Sequence, residues 1–173
     1  MIDRRQLAID RLMKSANRRL GRATASGEQK RNAIICGPPG AGKTKYVTDN
    51  GDGFDFVFDY DGILSALTLL ERGQGPSGSL DLMMALRERY IERSVADHKS
   101  RFWLISATPH DSRRKLMASK MGARIIYIAT PAEVCLERIG RDPARNGDMD
   151  HWAKIVGDWW AGFNPGDEDM VIN

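Results

Sequence analysis

Cysteine is scarce in this 173-residue chain: only Cys36 and Cys135 occur, far apart and each in apolar surroundings. That count and spacing exclude a disulfide framework. The two thiols read as small buried hydrophobes of a reducing compartment, so the expected location is cytoplasmic. Histidine is nearly as scarce, and His98, His110 and His151 lie among residues that do not bind zinc, which argues against a zinc site. No apolar run approaches the roughly 20 residues of a membrane span. The N-terminus carries charge where a signal peptide needs an apolar stretch, so no membrane partner is expected. Neither sign of charge dominates, with 26 basic against 23 acidic residues and a net charge of +3. The balance hides an asymmetry. Residues 1–31 hold nine basic and three acidic residues, an excess of six, so the rest of the chain sums to −3. A hydrophobic share of 42% and a charged share of 28% are ordinary for a soluble globular chain, and the length suits one domain.

What the chain does have is a dense local signal. The apolar run Ala33-Ile34-Ile35-Cys36 leads into Gly37, Pro38, Pro39, Gly40, Ala41, Gly42, Lys43 and Thr44. This octet satisfies the phosphate-binding-loop pattern in full, between a strand-like and a helix-compatible stretch. Glycines at these positions let the backbone curl so that successive N–H groups point at phosphate oxygens. The next helix adds its N-terminal dipole to the same anion. Lys43 is placed to reach the outer phosphates and Thr44 to offer its hydroxyl to magnesium. A plain Gly/Pro turn would explain the glycines, but not Lys43 and Thr44 in these places. The expected ligand is a nucleoside triphosphate, ATP, with Mg2+.

The remaining pattern alternates strands and helices. Residues 2–20 have helical apolar spacing (Ile9, Leu12, Met13, Ala16, Leu20) with arginines opposite, and residues 23–29 read as a polar linker. The basic face is either an arm that tracks a nucleic-acid backbone or the solvated face of a packed helix. Strands are expected near 54–59, 101–107 and 124–129, with Met170-Val171-Ile172 as a short edge strand. Helices are expected after the octet and near 63–72, 80–96, 113–121 and 130–140, with Asp148 capping a last one. Residues 72–79 are the most flexible internal stretch. Alternation of this kind implies a three-layer α/β domain over residues 32–173 with a parallel sheet. Ligands then bind at the carboxyl ends of the strands.

Three features favour phosphoryl transfer to an acceptor. Asp59-Tyr60-Asp61 begins sixteen residues after Lys43, at an expected strand end facing the octet. One carboxylate can hold a metal-bound water and the other can accept a hydroxyl proton, and residues i and i+2 of extended chain point the same way. The alternative is a strand end capping the next helix. Later strands end in Ser106-Ala107-Thr108 and Ala129-Thr130 and so lack the carboxylate with which motor ATPases hold magnesium. Arg138, Arg141 and Arg145 run from a helix end into a Gly/Pro/Asn loop, where guanidinium groups can neutralise transition-state charge. A basic helix end complementing the dipole would explain Arg138 and Arg141 equally.

The octet, Asp59-Tyr60-Asp61 and the Arg138/Arg141/Arg145 stretch together resemble phage-type polynucleotide 5′-hydroxyl kinases. More broadly they resemble the adenylate-, shikimate- and gluconate-kinase branch of P-loop folds. The resemblance spans about residues 33–162 as an order of elements, with a lid-like segment near 138–149. It implies that Asp61 is the general base, as the match to the aspartate those kinases carry just after the second strand. An arginine that in those kinases contacts the acceptor phosphate has no counterpart, since Ile63, Leu64 and Ser65 occupy that region. The implied reaction uses ATP·Mg with Lys43 and Thr44 on the outer phosphates, Thr44 and Asp59 toward the metal, and Asp61 toward the acceptor. The expected acceptor is a nucleic-acid 5′ end approaching past Arg72, Arg87, Arg113 and Arg114. The other readings are a small-molecule or nucleotide kinase and a non-kinase ATPase acting with a nucleic-acid-processing partner.

Overall fold

The computed structural model describes residues 31–72, 74–164 and 169–172. The proposed basic helix and linker of residues 1–31 therefore lie outside the described residues, save Arg31. Its guanidinium donates to the carbonyls of Asp97 (2.8 Å) and His98.

Strand β1 (Asn32–Cys36) is wholly buried and occupies the centre of a five-stranded, all-parallel sheet. Its neighbours are β3 (Phe102–Ser106) and β4 (Ala123–Ile128), with β2 (Phe56–Phe58) and β5 (Asp169–Ile172) at the edges, in the order β2-β3-β1-β4-β5. Successive side chains of an extended strand point to opposite faces, so β1 alone seeds two cores. Ile34 and Cys36 pack with Phe58, Met83, Leu104 and Met117. Ala33 and Ile35 pack with Val47, Trp103, Ile126 and Cys135 on the other face. The two thiols thus sit on opposite sides of the sheet, both free and buried. Helices α2 (Tyr60–Thr68), α3 (Ser79–Ala96) and α4 (Asp111–Met121) contribute to the first core. Helices α1 (Lys43–Asn50), α5 (Ala132–Gly140) and α6 (Met149–Ala161) contribute to the second. The expected three-layer α/β architecture is the observed one.

Local differences have physical causes. Helix α2 begins at Tyr60, three residues earlier than the apolar pattern suggests, because Asp59 is its extended N-cap residue. Asp59 and Asp61 are therefore not i and i+2 of one strand: Asp61 stands in the first helical turn. Thr130, three residues before Glu133, has the spacing of a capping box, yet Pro131 is the N-cap residue and no side chain caps α5. Thr130 Oγ1 instead donates to the carbonyl of Ala41, 2.9 Å away in the octet. Asp148 does cap α6 through the His151 N–H, and Gly122 ends α4 at φ 57°.

Candidate active site

Because every strand is parallel, the carboxyl ends of β1, β2 and β3 open on one edge, and a cavity of about 600 Å³ lies there. The octet forms one wall. Gly42, the N-cap residue of α1, has φ 93°, and Gly40 has φ 78°, both in the left-handed region that glycine alone enters freely. Gly40 also has no room for a side chain, since a Cβ there would lie 2.5 Å from the Cys135 carbonyl oxygen. The loop is thereby pressed against α5. Arg138 fastens the same contact, with its Nη1 3.1 Å from the Ala41 carbonyl and 3.3 Å from that of Gly40.

Lys43 folds back over this loop, and its Nζ donates to the carbonyls of Gly37 (2.8 Å) and Pro38 (2.7 Å). Burial pulls its pKa from 10.5 down to about 8, against the upward pull of Cys36, Cys135, Asp59 and Asp61. Such a lysine is held ready for an anion. Thr44 Oγ1 lies 3.3 Å from Asp59 Oδ2, so the hydroxyl and the carboxylate named for the metal meet across the cavity. Two hard oxygens open to the cavity beside a phosphate loop fit magnesium. Asp59 Oδ2 also accepts from Arg72 Nη2 at 2.6 Å, and this hydrogen bond raises the Arg72 pKa. Asp61, exposed in the first turn of α2, lines the same cavity.

The three arginines of the lid-like segment separate. Arg138 and Arg145 line the cavity. Arg145 Nε is 2.7 Å from Asp142 Oδ2, and its guanidinium lies 5.8 Å from the Trp152 ring. Burial raises the Asp142 pKa, but hydrogen bonds from Arg145 and the Ala144 N–H win and lower it. Arg141 points away and is paired with Glu137 on the exposed side of α5.

The basic path expected for a polymeric acceptor is not continuous. Arg114 is fully buried, donating to the carbonyls of Pro109 and Asn164, and is structural. Arg113 is exposed and lies outside the cavity lining. Arg72 and Arg87 do line it. Opposite the octet, α3 presents Leu80, Met84 and Arg87, spaced i, i+4 and i+7, above Phe58, Leu104 and Met117. The apolar members of this wall were not singled out from the sequence. The signal available was the arginine at the third position of a helical apolar stripe, where a solvated residue has no place.

The sequence matches no protein-family model and no curated protein. Solved structures do match. A sugar kinase from Janibacter sp. HTCC2649 shares 17% identity, with a TM-score of 0.53 over 83% of each chain. A gluconokinase from Sinorhizobium meliloti 1021 shares 10% identity, with a TM-score of 0.51 over 84% of this chain and 83% of that one. A shikimate kinase from Acinetobacter baumannii in complex with shikimate shares 16%, with a TM-score of 0.50 over 84% of each chain. What is shared is the fold. It is the parallel sheet with flanking helices of P-loop kinases, and the chain spans more than four fifths of each neighbour. No helix among the described residues is long and apolar enough to cross a membrane.

Proposed function

We propose that the chain is an ATP-dependent phosphotransferase whose acceptor is a small alcohol bearing an anionic group. The observation that carries this reading is one cavity containing both the phosphate loop with Lys43 and, across from it, Asp59 and Asp61. The kinase neighbours of the same fold, named for a sugar, gluconate and shikimate, support it. The α3 stripe supports a small acceptor, because Leu80 and Met84 wall the cavity where a polymer would need a basic track. Arg87 is a cation on the acceptor wall: its Nε is buried without a hydrogen-bond partner among the described residues, and its guanidinium makes a 3.5 Å contact with Glu88.

In this reading the octet's N–H groups and Lys43 hold the outer phosphates, and Arg138 and Arg145 neutralise charge that develops on the transferred group. A bound magnesium would be held by Thr44 and Asp59 and would draw charge from the phosphate oxygens. The acceptor oxygen bonds to the γ-phosphorus while the bond to the β–γ bridging oxygen breaks. ADP leaves with that electron pair, and the hydroxyl proton passes to Asp61. Arg141 takes part only if the loop beyond Gly140 rearranges.

A polynucleotide 5′-hydroxyl acceptor is the second reading, favoured by the six-charge excess of residues 1–31. The test is label transfer from γ-labelled ATP to a panel of sugars, hydroxy acids, nucleosides and 5′-hydroxyl DNA and RNA. Labelled small-molecule product that Lys43→Ala and Asp61→Asn each lower by about a hundredfold or more is expected. Label entering only the polymers would replace the first reading by the second, and ATP consumption with no labelled acceptor would end both.

A further inference from the structure

We infer that Arg72 is the resident counter-cation of the metal-binding carboxylate and sets how tightly the site takes a divalent ion. This rests on the assignment of Thr44 and Asp59 to the metal. Asp59 is the meeting point of two groups. Its Oδ2 is 3.3 Å from the Thr44 hydroxyl and 2.6 Å from Arg72 Nη2. The oxygen that would ligate a metal is thus the one the guanidinium holds. Arg72 reaches it from beyond the end of α2 and lies over that helix's first turn, where a Cβ on Gly62 would come within 3.4 Å of Arg72 Nη1. Arg72 also feels the negative charge of Asp61 and Asp142.

A divalent ion and a guanidinium on one carboxylate repel each other and draw on the same negative charge, so the hold of Arg72 on Asp59 weakens the hold left for a metal. A divalent ion arriving at Asp59 therefore competes with Arg72. Arg72 is half exposed and Asp59 much less so, which makes the exchange feasible: the guanidinium can be rehydrated while the carboxylate stays in place. Arg72 and Arg87 line the same cavity. Arg72 is a positioning residue on this account. It keeps Asp59 aimed at Thr44 and weakens metal binding in exchange.

The test is Mn2+ binding to the full chain with ADP, followed by the electron paramagnetic resonance signal of free Mn2+, which needs neither an acceptor nor turnover. Arg72→Gln is expected to tighten Mn2+ binding about three- to tenfold, the range that loss of a competing, partly exposed ion pair allows. Arg72→Lys, which keeps the charge but not the fork, falls between Arg72→Gln and the wild type. Arg113→Gln, an exposed arginine outside the cavity, stays at the wild-type value. Unchanged or weaker Mn2+ binding in Arg72→Gln, with a wild-type melting curve, overturns the inference. Loss of phosphoryl transfer with every acceptor, alongside tighter Mn2+ binding in Arg72→Gln, would remove the proposed reaction and leave the counter-cation role standing.

Discussion

At the scale of single residues, Lys43 carries a consequence that titration can read. A lysine held near pH 8 by burial is partly neutral just above that pH, and a polyanion beside its Nζ favours the charged form. Nucleotide binding at pH 8.5 should therefore be accompanied by uptake of a fraction of a proton, fading toward pH 7 where Lys43 is already charged. Calorimetry of ADP binding in buffers of different ionisation enthalpy measures this directly. Equal uptake in Lys43→Met would assign the proton elsewhere. The spacing from the octet marked Asp59 and Asp61 as a candidate pair, and only the family resemblance singled out Asp61 as the base. Its actual geometry was not legible, since where β2 stops and α2 starts depends on Asp59 serving both as helix N-cap residue and as partner of Thr44 and Arg72. Arg114 was misread for a similar reason. Its burial depends on the Asn164 carbonyl, 50 residues further along the chain, and no local pattern announces such a partner.

At the scale of elements, the join between the octet and α5 decides how the donor side behaves. Three contacts make it: Gly40 against the Cys135 carbonyl, Thr130 Oγ1 to Ala41, and Arg138 to Gly40 and Ala41. Gly40→Ala meets both a positive φ and a 2.5 Å clash with backbone. A loss of roughly 2–4 kcal/mol is expected in denaturant unfolding, together with weaker nucleotide binding. A stability within 0.5 kcal/mol of wild type would mean that the loop and α5 are not packed as described. Thr130→Val removes one hydrogen bond without changing shape much and should cost about 1 kcal/mol. The octet itself could be read from eight consecutive residues, because its chemistry is local. The α5 contact could not, because it joins positions nearly a hundred residues apart.

For the whole molecule, Arg114 separates folding from catalysis. It ties the turn before α4 to the chain after α6, donating to Pro109 and Asn164 with its guanidinium 5.2 Å from the Phe163 ring. Arg114→Met takes the donor from the Asn164 carbonyl and one of two donors from the Pro109 carbonyl, which keeps the Asn164 N–H, and should lower stability by about 1–3 kcal/mol. The KM for the acceptor should stay unchanged below the melting transition. A raised acceptor KM with unchanged stability would return Arg114 to the acceptor path. The order of elements was readable along the chain because strand and helix signals alternate, and β5 was recognised from only three residues. The cavity wall formed by Leu80, Met84 and Met117 was not, because these residues look like ordinary core until the sheet brings α3 and α4 over the end of β3.

Sheet topology has one more outcome. The helices that clasp the phosphate loop, α1 and α5, lie on one side of β1, and the helix that walls the acceptor half, α3, lies on the other. The two walls of the one cavity are thus built by helices from opposite faces of the sheet and meet only at its carboxyl edge. On the proposed reaction, recutting Leu80, Met84 and Arg87 is accordingly the shortest route to a changed acceptor range with the phosphate loop left intact.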